Sequence, residues 1–103
     1  MAKTILIVED DDLNLKVFDD LLQAEGYYTL KNKDGINVPT IIEKEHPDLV
    51  LMDIKLPNES GFDIIKKIKS LKKISNTPII AVTALSARGD KQKILASGFD
   101  EYI

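Results

Sequence analysis

The sequence contains no cysteine. Disulfides and thiolate metal sites are therefore excluded. His46 is its single histidine and lies beside Pro47, so a zinc centre lacks its usual donors. No apolar run reaches membrane length. Met1-Ala2-Lys3-Thr4 leads straight into a short apolar stretch, with no signal-peptide core, so a cytoplasmic location with no membrane contact is the default expectation. A basic excess is also missing. Fourteen Lys and Arg stand against 17 Asp and Glu, giving a net charge of -3, which leaves no footprint for direct nucleic-acid binding. The densest basic group, Lys66, Lys67, Lys69, Lys72 and Lys73, reads as a solvated helix face. Repeats, linkers and low-complexity stretches are absent too. What remains is 103 residues with 44% apolar and 30% charged content, enough for one small domain with a core.

Three short apolar runs stand out: Ile5-Leu6-Ile7-Val8, Leu49-Val50-Leu51-Met52 and Ile79-Ile80-Ala81-Val82. None alternates with polar residues. Runs of this kind suit strands buried on both faces, as in a parallel sheet. Between them lie helical patterns. Leu13, Val17 and Leu21, widened by Phe18 and Leu22, predict a helix that Gly26 stops. Tyr27 to Leu30 reads as an edge strand. A helix through Ile41, Ile42 and Glu43 follows, with Pro39 in its first turn and His46-Pro47 at its end. Phe62, Ile64, Ile65, Ile68 and Leu71 give another apolar helix face, and Asn76-Thr77-Pro78 separates it from the third run. Ser86 is positioned to cap a helix carrying Ile94 and Leu95, closed by Gly98, and a last strand spans Phe99 to Ile103. Strands alternating with helices predict an α/β fold with a parallel sheet.

Each apolar run is followed by an acidic or hydroxyl residue: Glu9-Asp10, Asp53 and Thr83. In an open parallel sheet ligands bind beyond the carboxyl ends of the strands, so these side chains are expected to converge. Three carboxylates in one partly buried site repel each other, and a hard divalent cation relieves that repulsion. Oxygen donors without nitrogen or sulfur point to Mg²⁺. Asp11 and Asp12 read better as caps of the first helix. Asp53 suits either a metal ligand or a nucleophile that forms an acyl phosphate. Thr83 suits a hydrogen bond to a phosphoryl oxygen or, read alone, the end of a strand.

Taken together, Ile5-Leu6-Ile7-Val8-Glu9-Asp10, Leu51-Met52-Asp53-Ile54-Lys55-Leu56-Pro57 with Gly61, Val82-Thr83-Ala84 and Tyr102 resemble the receiver domain of two-component response regulators. The resemblance covers essentially the whole chain. It is strongest to single-domain DivK-type regulators of the cell cycle or to PleD-type receivers. It implies a flavodoxin-like, doubly wound, five-stranded parallel sheet of order 2-1-3-4-5. It implies phosphorylation of Asp53 in a phosphorelay, with a histidine kinase or histidine phosphotransfer protein as donor. Mg²⁺ would be bound by Asp10 and Asp53, by Glu9 through water and by the backbone carbonyl of Lys55. Thr83 and Tyr102 would form the switch pair, and Pro57 and Gly61 would shape the adjoining loop. A downstream protein would read the switched surface. The family's Lys-Pro pair and fifth helix have no counterpart before Ile103, so residues 1–103 are expected to form a C-terminally incomplete receiver, with apolar sheet surface uncovered.

Three other readings compete. An aspartyl phosphatase with a bound metal usually has a second acidic residue where this chain has Lys55. A flavin or nucleotide module needs Gly, Ser or Thr after the first strand, where this chain has Glu9-Asp10-Asp11-Asp12. A scaffold with the receiver fold that is never phosphorylated is the third. The receiver reading makes the protein a phosphoacceptor in signalling, not an enzyme, although Asp53 and Thr83 assist the transfer.

Overall fold

The computed structural model describes residues 2–82 and 88–103. Among these, strands and helices alternate as β1 (Thr4–Val8), α1 (Asp12–Ala24), β2 (Tyr28–Asn32), α2 (Val38–Glu45), β3 (Leu49–Asp53), α3 (Gly61–Ser70), β4 (Ile79–Val82), α4 (Arg88–Ala96) and β5 (Glu101–Tyr102). The strands form one parallel sheet in the order β2-β1-β3-β4-β5. This is the doubly wound arrangement that the resemblance implies.

The pleat sends successive side chains to opposite faces. Leu6, Val8, Val50, Met52, Ile79 and Ala81 join a core with Val38 and Ile42 of α2, Ile64, Ile65 and Ile68 of α3, and Ile94 of α4. Ile5, Ile7 and Leu51 pack on the other face against Leu15 of α1, with Leu49, Ile80 and Val82 partly buried beside them. Both faces of β1 and β3 are thus covered, which is why their sequences are continuously apolar. β4 differs. Ile79 and Ala81 are buried, whereas Ile80 and Val82, facing the α1 side, are half-exposed.

The rotation of α1 corrects the sequence reading. Leu13, Val17 and Leu21 face water, with exposures of 68%, 46% and 61%. Phe18 and Leu22, expected on the same face, do meet the sheet, and Leu15 joins them there. Both sets obey helical spacing, so periodicity alone does not choose between them. The observed rotation buries Asp19. Its carboxylate accepts hydrogen bonds from Thr29 Oγ1 (2.5 Å), Gln23 Nε2 (2.7 Å) and Lys31 Nζ (3.2 Å). These bonds, that from Thr29 foremost, hold its pKa below the ordinary value and tie α1 to β2.

The helix ends follow local chemistry. Asp11 caps α1 by accepting from the Asn14 N–H, and Gly26 after it takes a φ of 92°. Pro39 lies in the first turn of α2. His46 ends that helix as expected, but with left-handed rather than extended backbone. Ser60 caps α3 by accepting from the Asp63 N–H. Leu71, expected on the α3 core face, lies past the helix and is exposed. On α4 Ile94 is buried but Leu95 is 46% exposed. Ser86, the expected cap, lies outside the described residues. β2 starts and ends later than expected, and β5 is shorter, with Phe99 buried ahead of it and edge-on to the Phe62 ring.

Truncation separates the two faces of α1. Leu15→Ala should lower unfolding free energy by about 2–5 kcal/mol, the usual range for a buried leucine. Leu13→Ala should change it by no more than about 0.5 kcal/mol, as at an exposed site. Urea denaturation of both variants checks the assignment, and equal losses would contradict it.

Candidate functional site

The site lies where the chain changes direction in the sheet. After β1 it runs outward to β2, and then returns to the other side of β1 as β3. That reversal opens a crevice beyond the carboxyl ends of β1 and β3. Val8 is level with Met52 in the β1–β3 ladder, so the next residues, Glu9 and Asp53, leave the sheet side by side. One carboxylate oxygen from each of Glu9, Asp10 and Asp53 falls in a cluster no more than 4.8 Å across. Glu9 is buried, Asp53 half-buried and Asp10 exposed. They open onto a cavity of about 380 Å³ bordered by Asp11, Asn14, Lys55 and Val82.

Backbone donors fix the carboxylates. The Glu9 N–H donates to the Asn32 carbonyl at 3.0 Å, and Glu9 Oε1 accepts from the Asp11 N–H at 3.2 Å. Asp53 Oδ1 accepts from the Lys55 N–H at 3.1 Å. The Lys55 side chain is exposed at the rim. Gly61 secures the loop. Its N–H donates to the Ile54 carbonyl at 2.7 Å, and a Cβ there would lie 2.8 Å from the Asp53 carbonyl oxygen and 2.9 Å from the Ile54 Cα. Only glycine permits that approach.

Three acidic groups this close cannot all ionise freely. Burial, and then the nearby Asp53, raise the Glu9 carboxyl from 4.5 to about 7. Burial, with Asp10 beside it, also raises Asp53, while the Lys55 N–H opposes the shift. Both shifts mean that burial and mutual repulsion oppose full ionisation of the cluster. A partly buried, oxygen-only donor set of this kind fits a hard divalent cation such as Mg²⁺.

The structure thus brings together Glu9, Asp10 and Asp53 and places Lys55 beside them. Thr83 lies outside the described residues. Tyr102 is not at the cavity. It is half-buried on β5 against the larger core, with the Lys91 ammonium 5.6 Å from its ring centroid. Asn14 at the rim was not anticipated. Its only sequence signal is its place one helical turn beyond Asp10.

The description "response regulator receiver domain" matches residues 5–103. The chain belongs to that family. The polar-differentiation response regulator DivK of Brucella ovis is 42% identical over 103 residues, covering all of this chain and 84% of DivK. Among solved structures, the receiver domain of a Pseudomonas aeruginosa sensor histidine kinase matches with a TM-score of 0.90 and 32% identity, covering 100% of this chain and 84% of that one. That structure has a magnesium ion coordinated in its active-site cleft. A CheY-like receiver protein from Methanospirillum hungatei matches with a TM-score of 0.86 and 32% identity, covering 100% of this receiver and 81% of its own chain.

Two measurements follow. Glu9 binds its proton more tightly folded than unfolded, so metal-free stability should fall as pH rises from about 4.5 to about 7. Glu9→Gln should flatten that slope, and Mg²⁺ should restore stability to the wild type at the upper end. Melting curves across this range, with and without Mg²⁺, check it. Gly61→Ala should cost about 1–3 kcal/mol, as overpacking against backbone does, and should weaken Mg²⁺ binding. Denaturation and metal titration of that variant test the close approach.

Proposed function

We propose that this receiver accepts a phosphoryl group on Asp53 from a histidine kinase or histidine phosphotransfer protein, with Mg²⁺ beside it, and so switches a surface read by another protein. The carrying observation is the placement of Asp53 at the end of β3, level with buried Glu9 and open to a cavity of about 380 Å³. Asp53 acts as nucleophile. Its oxygen attacks phosphorus, the P–N bond of the phosphohistidine breaks, the imidazole leaves, and an acyl phosphate remains. Asp53 is the acceptor, so the protein is itself the substrate of the transfer, and hydrolysis of the acyl phosphate returns the carboxylate.

Glu9, Asp10, Asp53 and the Lys55 carbonyl are the proposed cation ligands. A Mg²⁺ held by them would supply positive charge against the charge that develops on the transferring group. Burial raises the Glu9 carboxyl, so a cation bound there would compete with its proton and loading would improve as pH rises. The Lys55 N–H holds the Asp53 carboxylate in one orientation during attack. Thr83, next in sequence after β4, is proposed to donate its hydroxyl to the new phosphoryl group, with Tyr102 as its partner in the switch. The changed surface then includes α4 and β5. The likeness to DivK supports a role in the control of cell division or polarity.

Incubation with Mg²⁺ and acetyl phosphate should give a hydroxylamine-labile mass increase, absent from Asp53→Asn. A folded wild type that gains no mass would leave the scaffold reading in its place. Separately, Mg²⁺ at a hundredfold excess over its Kd should add about 2.7 kcal/mol of stability. Loss of that gain in Asp10→Asn locates the cation.

A further inference from the structure

A second cavity, of about 420 Å³, lies between α3 and α4, away from the acidic cluster. Lys66 and Lys69 of α3 and Lys93 of α4 line it, with Phe62 and Ala96 among the apolar atoms. The convergence follows from the helix faces. Ile64, Ile65 and Ile68 turn α3 toward the core, which leaves Lys66 and Lys69, three residues apart, together on the α4 side. Lys93 precedes buried Ile94 and reaches across.

Half of the other lysines are neutralised within the fold. Lys16, Lys31, Lys33, Lys67 and Lys73 are each paired with a carboxylate. Among the residues whose side chains are described, 2–82 and 91–103, no carboxylate lies within 4.0 Å of the ammonium of Lys66, Lys69 or Lys93. Two of the three are nevertheless held in place. The Lys93 ammonium sits 4.6 Å from the Phe62 ring centroid, and Lys69 Nζ donates to the Ser75 carbonyl at 2.9 Å. Cations fixed in a concavity bind an anionic group with less loss of side-chain freedom, and the concavity focuses their field.

We propose that the α3–α4 groove binds an acidic segment of a partner protein, with carboxylates on Lys66, Lys69 and Lys93 and an apolar side chain beside Phe62 and Ala96. Charge complementarity selects this occupant in a protein whose net charge is otherwise -3. Asp63 also lines the groove, its carboxylate accepting from Ser60 Oγ at 3.3 Å. That negative group limits how many carboxylates the groove takes, and the net charge of -3 lacks the basic excess that a phosphate backbone requires. A concave site does not suit a lipid surface. The groove requires no modification of Asp53, so it stands or falls separately from the phosphoacceptor reading.

The probe is a short fluorescein-labelled peptide in which leucine is flanked by glutamates, with a lysine-flanked twin as control. Anisotropy with the unphosphorylated protein should show saturable binding of the acidic peptide alone, weakening as salt is raised. The pair Lys66→Glu and Lys93→Glu should weaken binding by at least about tenfold, whereas Lys16→Glu with Lys44→Glu should not. These are exposed helix positions, so folding should survive, and melting curves verify it. Equal weakening by both pairs, or no saturation, would overturn the proposal. So would tighter binding of an oligonucleotide or of vesicles containing phosphatidylserine.

Discussion

Everything at the acidic end of this receiver rests on the parallel pairing of β1 with β3. That ladder sets Val8 opposite Met52 and carries Glu9 and Asp53 out of the sheet at one level. A slip of a single residue would turn one of them to the other face. Register is therefore the source of the carboxylate crowding, which adds to burial in raising the Glu9 pKa. The register is held in turn by burial. Side chains of both strands feed two cores on opposite faces, so a slip would expose both.

The order of elements was legible because buried parallel strands have few ways to be written. Ile5 to Val8, Leu49 to Met52 and Ile79 to Val82 carry no alternation, and an acidic or hydroxyl residue ends each. The acidic cluster was legible for the same reason, since strand ends can be located without side-chain detail. The rotation of α1 was not. Phe18 and Leu22 lie on the buried face as expected, but Leu13, Val17 and Leu21 extend their stripe as well as Leu15 does, and the contact that accompanies the observed rotation is a polar one, between Asp19 and both Thr29 and Lys31. Hydrophobic periodicity carries no information about such a bond. Leu71 misled because the helix stops one residue before it, and Leu95 because it follows buried Ile94 directly and so turns to another face of α4.

The charges divide the molecule. Acidic side chains gather beyond β1 and β3, where burial and mutual repulsion oppose full ionisation. Lysines concentrate along α3 and the segment after it, and there Lys67 and Lys73 are balanced by Glu59 and Glu43. The densest basic group, which the sequence presents as a uniformly solvated face, is therefore heterogeneous. Part of it is neutralised within the fold, and part turns toward α4.

Gly61 joins these two regions. Its N–H is bonded to the Ile54 carbonyl, and its Cα is pressed against the peptide unit that carries Asp53. It is also the first residue of α3, the helix that bears Lys66 and Lys69. Close-packed interiors transmit displacement because they have no free volume to absorb it. Position 61 thus works as a joint without play, and movement of the β3 terminus is passed directly to the base of α3.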